Sequence, residues 1–489
     1  MSASTFPGAS FTAEKFQNGR WVENSAPGFS SGLMYQDFLP LKDPDNSTCW
    51  STSYQSFSET VQHANEWLGR HEGYEILGCE SLACTPSEMP SYLADSWPTT
   101  THIRGLRLWL RGPGEDTSSS VTGRFLLSYR DFTPYLDRKN LFSRDYEDTG
   151  VLLERLNQYL ENRTSRVRIL AVETLDTPMS GVLDIEVDTE KSSLTFSQHG
   201  FTKYCRSLRV FFVTQYQKRP QEGQGYDVIP RICLLDFVPK NKPDKFISGE
   251  ETVTEMMQRA LRWCSTTKGV TLLNLQVLPA KAGRTTTAST WMLENPGHVF
   301  NKFFSFVRIA YTEGEVTEVT EESAGGEAAG EATGEAVDEV APESTVEDDV
   351  PRDDQDTVAE VMSLPGVVSV AALRPPSGPL TGLHCKTFLP KQLTAGGACR
   401  HSEWEPLEET VSRLNSWVDA CQGVLVNIHT RYAYTQGRSG TVDPEASSWV
   451  KHLTGGGQVA VLHLVIRGGR SPTALPARHQ EPTPTCVIL

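Results

Sequence analysis

Four groups of residues have types and spacing that could do chemistry. Gly28-Phe29-Ser30-Ser31-Gly32 has the G-x-S-x-G form of a nucleophile elbow, which requires a strand before the serine and a helix after it. Here Ser25-Ala26-Pro27 precedes and residues 33–40 carry a strand pattern, so a polar loop is the better reading. Gly455-Gly456-Gly457 would cradle phosphate if it followed a strand and opened a helix. It precedes the apolar run 459–466 instead and reads as a tight turn. His384, Cys385, Cys399 and His401 could bind zinc tetrahedrally, but their spacing is unlike common zinc modules. They are weak candidates beside a reading as surface-loop residues. Arg107, Arg209, Arg308 and His463 each alternate with apolar neighbours. A period of two turns them to the face opposite the core, toward solvent. A cationic row there is a weak candidate for binding anionic lipid headgroups. No catalytic triad, resident metal, cofactor or G-x-x-x-x-G-K-[ST] loop emerges from this search.

The strongest signal is Cys486-Val487-Ile488-Leu489: a cysteine, two aliphatics and a leucine. It resembles the CaaX family of prenylation signals, in which a final leucine points to geranylgeranylation. The resemblance covers four residues. It implies a lipid on the Cys486 sulfur, removal of Val487, Ile488 and Leu489, and methylation of the new carboxylate. A prenyltransferase and CaaX-processing enzymes would be the first partners. Pro472, Pro476, Pro482 and Pro484 make residues 470–489 an extended spacer. One lipid chain gives reversible membrane binding unless a second signal assists. Only Arg467, Arg470 and Arg478 lie nearby, and Glu481 offsets one of them. The expected location is the cytoplasmic face of the plasma membrane or an endomembrane, in exchange with a soluble cytosolic pool.

What positions these residues is a fourfold internal pattern. Phe-x-Pro occurs at Phe38, Phe132, Phe237 and Phe388, in steps of 94, 105 and 151 residues. Each is followed by an aromatic at the end of a ten-residue block: Trp67, Tyr159, Trp263 and Trp417. The blocks ETVQHANEWL and ETVSRLNSWV place Val61, Ala64 and Trp67, or Val411, Leu414 and Trp417, on one helical stripe. Gly73, Gly269 and Gly423 then read as helix C-caps before a short apolar strand. A third block, Leu106-Arg107-Leu108 and its counterparts around Arg209, Arg308 and His463, reads as a final strand. The four helix aromatics are expected to fill the cores.

The fold expected is α/β (α+β): four tandem β-α-β-β modules of about 90–105 residues, packed in pairs. The strand–helix–strand crossover implies a parallel pair, with the last strand added antiparallel. The boundaries are 31–113, 124–216, 228–312 and 361–469, with an unassigned extension at 1–30. Between the third and fourth modules, residues 313–360 carry 18 acidic side chains and one basic one, and read as an acidic, disordered linker. Of the net charge of -16, this stretch supplies -17, so the other 441 residues are near neutral. That balance excludes a strongly basic nucleic-acid surface.

Ten scattered cysteines without a C-x-x-C pair read as reduced thiols. Residues 1–16 lack the apolar core of a secretory signal. The function expected is a prenyl-anchored peripheral membrane protein: a non-enzymatic scaffold or binding protein with unidentified protein partners. The alternatives are an enzyme with a site at a junction between modules, and a sensor of anionic lipid headgroups.

Overall fold

The computed structural model describes residues 33–43, 53–71, 74–84, 99–112, 124–137, 145–163, 167–179, 187–197, 202–216, 230–242, 249–282, 287–294, 301–314, 382–394, 403–434, 442–451 and 458–468. These are mixed α and β: mostly strands in small antiparallel sheets, with four helices. The 1–30 extension, most of the acidic stretch and the 470–489 tail lie outside them. So do Gly73, the glycine motifs at 28–32 and 455–457, Cys399, His401 and Cys486.

One order of elements occurs four times: an opening strand, a helix, an inner strand and a middle strand. The opening strands are Leu33–Phe38, Arg124–Phe132, Ile232–Phe237 and Leu383–Phe388. The helices are α1 (Phe57–Arg70), α2 (Thr149–Glu161), α3 (Val253–Thr266) and α4 (Leu407–Cys421). The inner strands are Glu75–Cys84, Val167–Met179, Val270–Lys281 and Val424–Tyr434. The middle strands are Thr99–Arg111, Thr202–Tyr216, Asn301–Glu313 and Gln458–Arg467. We refer to these four runs as segments one to four.

Local chemistry sets the helix ends. Ser56 with Glu59, and Thr252 with Glu255, form capping boxes on α1 and α3, pairing backbone donors that the first turn would otherwise leave open. The C-cap of α3 is Thr267, and Gly269 takes its left-handed φ of 75° two residues further on, so the C-cap reading is two residues late there. At α4 the reading is one residue off. Gln422 carries the left-handed φ of 54°, while Gly423 makes room for Ile466, which a Cβ there would meet at 2.7 Å.

Each middle strand lies between its opening and inner strands and is antiparallel to both. This corrects the parallel pair expected from the crossover. The opening and inner strands do run in the same direction, but the helix carries the chain past a gap one strand wide, and the last strand fills it. The sequence markers meet across this arrangement. The Phe of each Phe-x-Pro packs on the helix aromatic of its own segment: Phe38 on Trp67, Phe132 on Tyr159, Phe237 on Trp263 and Phe388 on Trp417, with ring centroids 5.7–6.5 Å apart. Beside them the middle-strand residues Leu106, Leu208, Val307 and Leu462 are fully buried. Each such side chain is worth about 1.5–3 kcal/mol in transfer from water.

The segments contact one another cyclically, not in the pairs expected. The core of segment one takes in Leu127 and Phe211 of segment two, and that of segment two takes in Ile232 and Ala310 of segment three. Segment three takes in Val465 of segment four, and segment four takes in Trp109 and Leu33 of segment one. No segment closes its core alone, as expected for three strands and one helix. An asparagine on three helices secures the same contact. Asn65 bonds both backbone groups of Leu127, Asn157 those of Ile232, and Asn415 those of Leu33. In α3 the matching residue is Leu261, packed near Leu383. Replacing the buried Asn157 by alanine strands two backbone groups and is expected to cost about 1–3 kcal/mol, measured by urea denaturation.

Three strands that the sequence reading missed lie in the connections before the middle strands. Ser193–Ser197, Trp291–Glu294 and Ser448–Lys451 each pair with the middle strand of the preceding segment. Their connections also serve the preceding helix: Glu190 accepts from Ser58 N of α1 and Glu445 from Thr254 N of α3, each at 2.9 Å. A carboxylate there meets the positive end of the helix dipole.

Candidate functional site at the axis of the ring

The four inner strands come together where the segments meet. Each carries a bulge against its middle strand, at Leu77, Leu170, Leu273 and Val426. A bulge adds one residue to one strand and re-aims its side chain. Here the extra side chain enters the core of the preceding segment: Leu170 that of segment one, Leu273 that of two, Val426 that of three, and Leu77 that of four.

Three residues beyond each bulge stand Glu80, Glu173, Gln276 and His429, lining one cavity of about 20 Å³. Three of the four reach back to the preceding inner strand. Glu173 accepts from Ser81 N at 2.9 and 3.1 Å, Gln276 from Thr174 N at 2.8 Å, and Glu80 from Thr430 N at 2.8 Å. Glu80 also accepts from Trp109 Nε1 at 3.0 Å and lies 3.5 Å from His429 Nδ1. Asn274 adds a second clamp, bonding both backbone groups of Val172.

The electrostatics of the two carboxyls differ. Burial pushes Glu173 up to about 7; the Ser81 hydrogen bonds oppose this and the charge of Glu80 adds to it. Burial acts in the same direction on Glu80, but His429, Arg107 and Thr430 outweigh it and hold its carboxyl below the usual range. Cys79, on the same strand, is raised by burial and by both glutamates, so its thiol is not poised as a nucleophile.

The residues expected to face solvent do the opposite. Arg107, Arg209 and Arg308 are at most 3% exposed and His463 is 0% exposed. Each arginine is held by both oxygens of an opening-strand aspartate at 2.6–2.7 Å: Asp37, Asp131 and Asp236. Each also donates to a hydroxyl on the preceding inner strand: Thr430, Ser81 and Thr174. The rear face of every sheet is covered by the preceding segment in the ring, and this is why a period of two misjudged it. The cationic row needed for lipid-headgroup binding is therefore not exposed.

Segment four departs from the pattern. Thr387 stands in place of the aspartate, Val277 in place of the hydroxyl, and His463 in place of the arginine. His463 Nδ1 lies 3.2 Å from Thr387 Oγ1, while its buried Nε2 has no partner. Burial, with Arg431 and His429 nearby, holds this imidazole well below its ordinary range and so uncharged. A cation returns on the inner strand: Arg431 stands where segments one to three have Leu82, Leu175 and Leu278. It donates to Pro444 O, much as Arg209 and Arg308 donate to Thr189 O and Thr287 O.

Of the zinc candidates, His384 and Cys385 lie in an opening strand, and the other two residues are outside the description. Among the described residues no group of three or more His, Cys, Asp or Glu could hold a metal ion. Among the same residues, no helix is long and apolar enough to cross a membrane. The aspartates could have been found in the sequence. Asp precedes the Phe of Phe-x-Pro wherever the middle strand carries Arg, and Thr precedes it where that strand carries His. Compared with known proteins, the chain matches no family model, no curated protein and no solved structure.

Proposed function

We propose that the four segments are copies of one β-α-β-β module closed into a ring, and that this ring is a non-enzymatic binding scaffold held at a membrane by a prenyl group on Cys486. The observation carrying the scaffold reading is the use made of the charged residues. The arginines' bonds to a hydroxyl on the preceding inner strand, the asparagine clamps and the axial glutamates all join one segment to the next. The chemistry-bearing side chains are thus spent on holding the ring, and the connections between strands are left to carry specificity. The enzyme reading draws support from the perturbed carboxyls at the axis, but a cavity of about 20 Å³ has room for about one water molecule and not for a substrate.

Membrane attachment rests on the Cys486-Val487-Ile488-Leu489 sequence and its test is direct. Wild type and Cys486→Ser are expressed in eukaryotic cells and compared by intact mass and by fractionation. The expected result is a geranylgeranyl mass with loss of Val487 to Leu489, and release of the variant into the soluble fraction. An unmodified wild-type mass would sink the anchor. Proximity labelling from the anchored wild type is expected to mark a defined set of membrane-associated proteins. If labelling is no different from that of a prenylated control protein, the scaffold reading fails.

A further inference from the structure

We propose that the axis is a proton-operated clasp between the first two segments, locked when Glu173 carries a proton and loosened when it does not. Two carboxyls from neighbouring inner strands, Glu80 and Glu173, face one small cavity. Glu80 has Trp109, Thr430 and His429 around it. Glu173 is 4% exposed, and the hydrogen bonds it receives come from Ser81.

The charged and titratable groups facing Glu173 can be named strand by strand. The first inner strand brings Glu80 and Cys79, and the third brings the neutral Gln276. The fourth brings His429, the middle strand of segment one brings Arg104, and the middle strand of segment two brings Arg209. The Arg209 guanidinium is already held by both oxygens of Asp131, and Arg104 is bonded to Thr189 O and Thr177 Oγ1. Losing the proton therefore leaves two buried negative charges beside one cavity, with both guanidinium groups bonded elsewhere.

The ring contains its own neutral comparison. Gln276 occupies the matching position and makes the matching contact, with its amide oxygen on Thr174 N. A protonated Glu173 has the same outline as that amide and can hold Ser81 N in the same way.

The direction follows from linkage. Glu173 titrates near 7 in the fold but near the ordinary carboxyl value in the unfolded chain. Below the unfolded value both states are protonated and nothing is lost. As pH rises toward 7 the folded state must hold a proton the unfolded state has released, so stability falls, and the cost is complete above 7. This is opposite to the usual salt-bridged carboxylate.

The experiment is amide hydrogen exchange on the full-length protein at pH 6 and pH 8, corrected for the intrinsic exchange rate. In the wild type, protection of residues 75–84 and 167–179 is expected to fall by up to about tenfold at pH 8 relative to 270–281. Glu173→Gln is expected to be protected equally at both values. In parallel, infrared difference spectra of the wild type are expected to lose one buried protonated-carboxyl band between pH 6 and 8. That readout stands even if the variant folds poorly. Equal wild-type protection at the two pH values, no carboxyl band, or a pH response kept in Glu173→Gln would each overturn the proposal.

Discussion

Replacing Arg209 by leucine is expected to cost about 3–5 kcal/mol, because it leaves a buried aspartate without its counter-charge. Asp131 has a side chain only 9% exposed and binds the guanidinium through both oxygens. The same guanidinium stacks 3.7 Å from the Phe57 ring centroid and donates to Ser81, so the loss is felt in segment one as well. Against a total stability of about 5–15 kcal/mol this removes about a fifth or more of what holds the fold together. The double variant Arg209→Leu, Asp131→Leu is expected to recover most of the loss, since two apolar side chains of similar size often replace a buried pair at little cost. Guanidinium denaturation of the wild type and the two variants measures both terms. A single-variant cost below about 1 kcal/mol would place the pair in the class of solvent-exposed salt bridges and contradict the burial described above.

Trp417→Ala is expected to cost about 3–5 kcal/mol, the range for emptying a buried indole. Trp417 is 3% exposed and meets Phe388 edge to face. Its cluster also holds Leu33, Tyr35 and Leu77 from segment one. Segments one and four are far apart in the chain, so this cluster closes the ring without a covalent link. The cavity should therefore loosen the opening strand Leu33–Phe38 ahead of the rest, and hydrogen exchange on that strand should rise first. Trp263→Ala is the control, because Trp263 is only partly buried and sits between segments joined in sequence. Its cost is expected to be about half as large. Equal losses would mean that closure of the ring does not depend on this cluster.

Much of the element order was legible in the chain. The apolar stripe of α1 and α4, the opening strands ending at Phe-x-Pro, and the runs around Arg107 and Arg209 were all visible as local periodicity. Periodicity reports on nearest neighbours along the chain, and those neighbours share an element. The pairing of opening and inner strands was misread because a crossover connection specifies direction and leaves adjacency open. The three added strands were missed because their partners belong to another segment, and at four or five residues each they are too short to show a period.

The sequence by itself determined the recurring Phe–aromatic core, the apolar stripes of the helices, the near-neutral charge balance outside residues 313–360, and the Cys486-Val487-Ile488-Leu489 sequence that the anchor proposal rests on. Those properties depend on residue type and on spacing within about thirty residues. Only the tertiary structure decided that the arginine row is internal, that Glu80 and Glu173 share one cavity, and that segment four closes on segment one. The physical reason is that burial belongs to both surfaces of a contact. A strand face that alternates polar with apolar is solvated if nothing covers it. In this ring the preceding segment covers it, with an aspartate from the neighbouring strand ready to neutralise each arginine.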